Sequence, residues 1–360
     1  MKFGLLYEIE PMRPWTDTTV ADCFWQSLEQ VKLAEGVGFS HLFVVEHHFL
    51  DQFSVSSAPE VWLSAVAQHT STIRIGHGSR LLPFKYNNPI RSAEMAAVLD
   101  IMSKGRLEFG TARSASSLEL DGFGIDPNLT RAQWDEALHM IPKMWTQEEF
   151  SWDSATFRMP PRNVLPKPVQ RPHPPLWMSG TQPSSSVTAA ERGIGYMHFS
   201  ITSTEGLADQ IAEYKRIVAD PPDPVGLATN DQFAAFTMMF CGKDDQEAMS
   251  RGYEGVSWYA NLVEHIYASM AKMEGATDES YSWYRERFAR VGERIRDEAD
   301  MRAAHSMVLG GPETCTEEVR WYADQGVDLL LMLVQAGAIE HGDICESLHR
   351  FGTEVIPKFA

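Results

Sequence analysis

The chain has 360 residues, and 44% of them are hydrophobic, including 10 Trp, 18 Phe and 17 Met, which is enough for a large core and an apolar pocket. Its formal net charge of -18 repels phosphate backbones and anionic membrane surfaces, so we predict neither nucleic-acid binding nor membrane attachment. The four cysteines form no Cys-x-x-Cys pair, and the N-terminus lacks the apolar region of a signal peptide, so we expect a cytoplasmic protein without disulfides.

Short apolar runs recur along the chain and predict strands, which alternate with segments of helical apolar spacing. The predicted strands are 3–7, 41–46, 73–76, 106–111, 176–178, 195–199, 233–240 and 327–333. The predicted helices are 19–36, 59–72, 89–102, 131–146, 184–192, 205–218, 314–326 and 339–355. A proline-rich connector over 160–175 is predicted to be extended rather than a domain boundary. This alternation favours a (β/α)8 barrel, or TIM barrel, over a doubly wound sheet.

The segment 244–305 is charged, aromatic and helical in pattern, and it is too long for one crossover helix. We interpret it as an insertion after strand seven that lies over the mouth of the barrel. The prediction is therefore one barrel domain over 1–360, with 244–305 as an inserted helical lid.

Three ionisable residues, Glu46, His47 and His48, follow the second predicted strand, at the end where a parallel barrel places its active site. Neighbouring side chains in a strand point to opposite faces, so we expect Glu46 and His48 on one side and His47 on the other. Consecutive residues therefore make poor joint metal ligands, and we predict no metal site. A strand-end histidine serves acid–base chemistry or is hydrogen-bonded in the core, and the residues alone leave both open.

Two further segments can bind an anion. Arg113 follows the fourth strand among small residues and suits phosphate oxygens, although an ion pair with Glu119 or Asp121 explains it equally well. The turn over 179–187 (SGTQPSSSV) has more hydroxyl side chains than one helix cap requires, which favours phosphate over capping alone. No Walker loop, Gly-x-Gly-x-x-Gly or Gly-x-Ser-x-Gly motif is present, which disfavours a nicotinamide Rossmann site and a serine hydrolase.

Over nearly its whole length the chain resembles the bacterial luciferase-like, flavin-dependent monooxygenases. The resemblance rests on residues 46–49 (EHHF), 78–83 (GSRLLP), 103–110 (SKGRLEFG), 165–175 (LPKPVQRPHPP), 189–193 (AAERG) and 311–314 (GPET). It implies a (β/α)8 barrel that binds reduced FMN, which a separate flavin reductase usually supplies. It also implies that O2 oxygenates a small apolar substrate, such as an aldehyde, a ketone or a terpenoid-like compound, through a flavin C4a-peroxide.

The resemblance also implies roles for particular residues. His47 is the expected active-site histidine, and Arg113 is an expected phosphate ligand. The Gly78–Ser79 peptide is expected to lie against the isoalloxazine ring, often as a cis bond. The remaining expected phosphate-binding residues are Gly180, Thr181, Ser184 and Ser185.

The sequence also departs from the family pattern and leaves alternatives. Ala112 stands where the light-emitting luciferase subunit has a reactive cysteine, and Thr181 and Gln182 represent its acidic and hydroxyl phosphate contacts, which disfavours light emission but not oxygenation. A deazaflavin-dependent hydride-transfer oxidoreductase on the same barrel and a non-catalytic flavin-binding subunit remain as alternative functions. Family habit and the Ala- and Met-rich helices predict a homodimer, whereas the sequence names neither the substrate nor the reductase.

Overall fold

The computed structural model describes residues 1–51, 53–114, 116–201, 203–271, 273, 275–277, 279–288 and 297–359. The strands of this described chain are β1 (Lys2–Tyr7), β2 (His41–Val44), β3 (Arg74–His77), β4 (Arg80–Leu81), β5 (Leu107–Ala112), β6 (Phe150–Asp153), β7 (Arg158–Arg162), β8 (Leu176–Gly180), β9 (Gly195–Phe199), β10 (Phe233–Cys241), β11 (Met307–Gly310) and β12 (Leu329–Leu333).

Its α-helices are α1 (Thr19–Gly36), α2 (Pro59–His69), α3 (Pro89–Met102), α4 (Ser117–Gly122), α5 (Thr130–Thr146), α6 (Pro183–Glu191), α7 (Leu207–Val218), α8 (Asp245–Arg251), α9 (Tyr253–Ala271), α10 (Glu279–Phe288), α11 (Glu298–Ala303), α12 (Pro312–Gln325) and α13 (His341–Arg350). No helix among the described residues is both long and apolar enough to span a membrane.

Among the described strands, eight pair in parallel in the order β1-β2-β3-β5-β8-β9-β10-β12. The ring closes where β12 pairs with β1, with Lys2 beside Leu329. Short β4 continues the line of β3 and pairs with β5. The predicted (β/α)8 barrel is confirmed, and each of the predicted strands overlaps a strand of this ring.

Barrel strands are buried on both faces, and their side chains alternate between two cores. Leu5 and Tyr7 of β1 pack in the core between the strands and the surrounding helices, whereas Leu6 packs inside the barrel. In β2, Val44 faces the helices and Phe43 faces the barrel interior. This double burial explains why the strands are almost continuous apolar runs in the sequence.

Helix ends follow the local sequence. Proline occupies the first position of both α2 and α3, where its missing N–H is no loss. The side chain of Asn88 caps α3 by accepting a hydrogen bond from the N–H of Ile90 at 2.9 Å. After α1, Gly38 adopts a φ of 104°, a conformation that favours glycine, and the chain turns there into β2.

Besides that of the short β4, two other strand pairings were not predicted from the sequence. Strands β6 and β7 form an antiparallel hairpin after α5, and the end of β7 includes the first residues of the predicted proline-rich connector. They are largely exposed and carry few apolar residues, so no alternating pattern indicates them. Strand β11 pairs with the C-terminal part of β10, Met307 beside Met238, outside the closed ring.

Helices α8 to α11 occupy the predicted insertion between β10 and β11, except for residues 272, 274, 278 and 289–296 of it, which lie outside the described residues. Val256, Tyr259 and Val263 of α9 belong to the apolar cluster that also fills the barrel interior. The insertion therefore packs onto the barrel rather than standing away from it.

Candidate active site

A cleft opens at the C-terminal ends of the barrel strands. It contains about 1030 Å³ of atom-free space, part of it open to solvent. One wall consists of residues at the ends of β1, β2, β3, β5 and β8, because parallel strands bring their C-terminal ends to one rim. The inserted helices supply Val263 and Ile266 from α9 and Tyr284 from α10. We call this space the rim cleft.

All but one of the residues predicted from the sequence line the rim cleft. Those that do are His47, Gly78, Ser79, Arg113, Gly180, Thr181 and Ser185. Ser184 does not, since it is exposed on the first turn of α6, where its carbonyl accepts a hydrogen bond from the Thr188 hydroxyl at 3.1 Å. The structure thus brings the predicted residues together, while their roles stay predictions.

His47 is held by two buried glutamates. Its Nδ1 lies 3.0 Å from Oε1 of Glu119 on α4, and the same oxygen accepts the backbone N–H of His48 at 2.9 Å. On the other side of the ring, Nε2 lies 3.7 Å from Oε2 of Glu8, which follows β1. The imidazole is therefore fixed in orientation, with its Nε2 toward Glu8 and the rim cleft.

The charges around His47 control its protonation. Burial disfavours the imidazolium, but the carboxylates of Glu119, Glu8 and Glu46 outweigh it and raise the pKa of His47 to about 9. Burial raises the pKa of Glu8 to about 7, although His47 and the Tyr259 hydroxyl oppose that shift. At neutral pH His47 is consequently protonated, and both ring nitrogens are donors.

Glu46 points away from His47, as predicted, and shares its side of the chain with His48. Its Oε1 lies 3.3 Å from Nε2 of His48 and accepts from Nδ2 of Asn87 at 2.7 Å. Its Oε2 accepts from the backbone N–H of Leu81 at 3.0 Å. Burial opposes ionisation of Glu46, but these hydrogen bonds and nearby Arg80 lower its pKa, so Glu46 stays charged and ties β2 to β4.

The Gly78–Ser79 segment forms the part of the wall between β3 and β4. A Cβ at Gly78 would lie 2.8 Å from Cβ of Phe43, so only glycine fits without displacement. The Ser79 hydroxyl lies 2.7 Å from the Ser179 hydroxyl on β8. The expected cis bond is wrong here, because the cis bonds of the described chain all precede proline.

The turn from β8 into α6 forms a polar end of the rim cleft, which Arg113 also lines. Gly180 packs so closely that a Cβ there would lie 2.6 Å from Cβ of Ser185. The Thr181 hydroxyl lies 3.2 Å from the Tyr284 hydroxyl of the insertion. A guanidinium, hydroxyls and a helix N-terminus fit an anionic group such as a phosphate, and the absence of a side chain at Gly78 leaves room for a ring.

Two functional candidates, Glu8 and Glu119, were missed by sequence reasoning. Glu8 directly follows an apolar strand, so the rule that singled out Glu46 could have found it. Glu119 was considered only as a partner of Arg113, and no local pattern indicates a contact with His47 across a separation of 72 residues.

A closed barrel whose rim cleft combines these groups defines a ligand-binding site of the TIM-barrel type. A sequence model of the family described as luciferase-like monooxygenase matches residues 1–329, so the chain belongs to that family. One curated relative is the oxygenase component of the flavin-dependent trigonelline monooxygenase of Acinetobacter baylyi, 28% identical over 195 residues, which cover 54% of this chain and 52% of that protein. The chain spans about half the length of the curated relatives that it matches first.

Solved structures share the fold. The oxygenating constituent of 3,6-diketocamphane monooxygenase from Pseudomonas putida, a type II Baeyer–Villiger enzyme in complex with FMN, superposes with a TM-score of 0.79 at 20% identity and 99% coverage of both chains. The coenzyme F420-dependent tetrahydromethanopterin reductase of Methanopyrus kandleri gives a TM-score of 0.71 at 17% identity, covering 100% of this chain and 99% of that one. At these identities the similarity shows the fold alone.

Proposed function

We propose that the chain is the oxygenase of a reduced-FMN-dependent monooxygenase that uses O2 to oxygenate a small, largely apolar organic molecule, such as an aldehyde, a ketone or a terpenoid-like compound. The observation that carries this proposal is the rim cleft, which joins a polar end that suits a phosphate, the side-chain-free Gly78 and a protonated histidine. The flavin-dependent relative and the FMN complex of the diketocamphane enzyme support FMN as the cofactor.

In this proposal the chain's own groups bind and orient the cofactor. Arg113 and the hydroxyls of Thr181 and Ser185 would hold the phosphate, and Gly78 would leave room for the ring. Reduced FMN, when bound, supplies the two electrons that O2 activation requires. Residues of α9 and α10 would act as the lid that excludes water from the reacting atoms.

His47 would deliver a proton in the reaction. Its Nδ1 hydrogen bond to Glu119 fixes the ring, so Nε2 is the nitrogen that can exchange a proton with a ligand. Because its pKa is about 9, His47 begins as an acid and returns to the protonated form after each turnover.

The test uses FMN-loaded protein, reduced in the absence of oxygen and then mixed with 18O2 and a panel of aldehydes, ketones, phenols and alcohols. We expect one 18O atom in a product, detected by mass spectrometry, and none when free reduced FMN replaces the protein. FMN that fails to bind, or bound flavin that incorporates no 18O into any compound of the panel, would contradict the proposal.

A second candidate function is hydride transfer with a deazaflavin, because an F420-dependent reductase shares the fold. The two functions differ in their need for oxygen. Turnover of a substrate without oxygen, with a reduced deazaflavin, would favour the second candidate. Binding of reduced FMN without any substrate-dependent product would instead indicate a non-catalytic flavin-binding subunit.

We also propose a separate flavin reductase as partner, since the trigonelline relative is named as an oxygenase component. A homodimer is proposed because α2 and α3 expose large apolar side chains, namely Val61, Val98, Ile101 and Met102. Sedimentation of the full chain, with and without a Val98→Lys, Met102→Lys double variant, tests this assembly. A monomer in both cases contradicts it.

A further inference from the structure

One carboxylate oxygen of Glu8 is buried, and its ion-pair neighbour His47 lies too far away for a hydrogen bond. The residue is 2% exposed and lines the rim cleft. Its Oε1 accepts a hydrogen bond from the Tyr259 hydroxyl of α9 at 3.0 Å. Its Oε2 has no hydrogen-bond partner within the described part of the chain. A buried carboxylate oxygen without a partner is unfavourable, so a donor that enters the rim cleft would be bound there.

Oε2 of Glu8 and Nε2 of His47 form a matched acceptor and donor. They lie 3.7 Å apart, which is too long for a hydrogen bond between them. The separation is nevertheless short enough for one further oxygen atom to lie within hydrogen-bond distance of both. A hydroxyl group suits such a pair, because its oxygen accepts from the His47 N–H while its hydrogen donates to Glu8.

The surroundings of the pair are apolar. The Phe53 ring lies 5.2 Å from that of His47, and it stacks on Tyr259 at 5.7 Å, both measured between ring centroids. Phe199 and Phe236 also line the rim cleft. A ligand with one hydroxyl and an otherwise apolar body matches this combination of apolar side chains and the single polar pair of Glu8 and His47.

We propose that Glu8 and His47 together bind a hydroxyl group of the organic substrate, which is therefore an alcohol or a phenol with an apolar body. The inference deepens the proposed function, on which it rests for the rim cleft being the substrate site. A ketone or aldehyde oxygen can accept a hydrogen bond from His47, but it supplies no donor to Oε2 of Glu8. A site built for a hydroxyl thus discriminates against analogues that lack one.

Calorimetric titration of the FMN-loaded full chain tests the inference with two matched pairs of probes. The phenol pair is 4-ethylphenol with its methyl ether 4-ethylanisole, and the alcohol pair is cyclohexanol with cyclohexanone. At pH 8 Glu8 is mostly ionised and His47 mostly protonated, given pKa values of about 7 and about 9. We expect the hydroxyl compound of at least one pair to bind roughly 10- to 100-fold more tightly than its analogue. Equal affinity within both pairs overturns the proposal.

Two variants assign the effect to Glu8. In Glu8→Gln the amide oxygen can still accept from Tyr259, while an NH2 donor replaces Oε2 at the pair, so the hydroxyl preference should fall below about 2-fold. Glu10→Gln changes another buried carboxyl, two residues along the chain and outside the rim cleft, and should retain the preference. Unchanged preference in Glu8→Gln, or equal loss in both variants, contradicts the proposal.

The result with wild-type protein stands even if a variant fails to fold, which circular dichroism would reveal. The outcome also separates this inference from the proposed function. A hydroxyl preference without any 18O incorporation contradicts the monooxygenase alone, whereas oxygenation without a hydroxyl preference contradicts the hydroxyl site alone.

Discussion

Replacing Glu119 with Gln tests whether this carboxylate controls the protonation of His47. The two groups are buried, and His47 Nδ1 lies 3.0 Å from Glu119 Oε1. At an effective dielectric constant of about 20, two unit charges at this distance interact by about 5 kcal/mol, and loss of one close carboxylate typically lowers a pKa by about 1–3 units. We therefore expect the pKa of His47 to fall from about 9 by roughly 2 units, because the amide accepts the hydrogen bond without its charge.

The measurement is a pH titration of histidine-labelled protein by NMR, in which His47→Asn identifies the His47 signal. Glu46→Gln is the matched control, because Glu46 is also buried but makes the smallest of the three carboxylate contributions to the pKa of His47. It should lower that pKa by less than Glu119→Gln does. A change of under about half a unit in Glu119→Gln, or an equal change in the control, would refute the reasoning.

The same group links stability to pH. The pKa of His47 is higher in the folded chain than the ordinary 6.5, so its contribution is fully present below pH 6.5 and is lost as pH rises through about 9. Glu8 loses most of its own contribution between pH 4.5 and about 7, and the difference between the wild-type and Glu119→Gln decreases above pH 7 reports His47. Between pH 7 and 9.5 the contribution of His47 to the free energy of unfolding should decrease by about 2 kcal/mol, less than the full slope of about 1.36 kcal/mol per unit because both ends of the range lie near a pKa. Urea denaturation at pH 7 and 9.5 measures it, and Glu119→Gln should show a smaller decrease.

Three further predictions concern the cofactor and the reaction. Gly180→Ala should raise the FMN dissociation constant about 10-fold, because the new Cβ would lie 2.6 Å from Cβ of Ser185. Gly342→Ala, which has open space around it, should leave the constant unchanged. Quenching of FMN fluorescence by the protein measures the dissociation constant of each variant. Arg113→Gln should weaken FMN binding roughly 10- to 100-fold but leave riboflavin, which has no phosphate, unaffected, and an equal loss for both ligands would contradict a phosphate contact. His47→Asn should lower the product formed per flavin oxidised and raise hydrogen peroxide by the same amount, whereas wild-type yield would show that His47 is dispensable.

The barrel could be predicted from the sequence because its strands are buried on both faces. Runs such as 41–46 and 233–240 are apolar throughout, and their spacing leaves room for one helix between most pairs. The hairpin of β6 and β7 could not be predicted, because its exposed strands are stabilised by pairing with each other and have no buried face that an apolar pattern would indicate. Strand β11 lies outside the ring of eight, so the barrel pattern does not require it, and its four apolar residues follow directly on the insertion.

The candidate site, too, could be predicted only in part. Positions at strand ends, such as His47, Gly78 and Arg113, could be located because chain order fixes the rim on which they lie. The contact between His47 and Glu119 could not be predicted, since it depends on how α4 packs after β5. Tyr259 lies still further along the chain, and its hydrogen bond to Glu8 spans 251 residues.

The rim cleft has two walls of separate origin, strand ends on one side and inserted helices on the other. Apart from Tyr259 and Tyr284, which contact Glu8 and Thr181, substitutions in 253–288 can therefore reshape the space for an organic molecule without removing a contact to the strand-end residues described above. Exchanging that stretch between homologues would then change which organic molecule is bound, while the residues at the strand ends stay the same. Because the two walls are separate in sequence, the insertion is the part of the chain in which substrate specificity can evolve with the least effect on the strand-end residues.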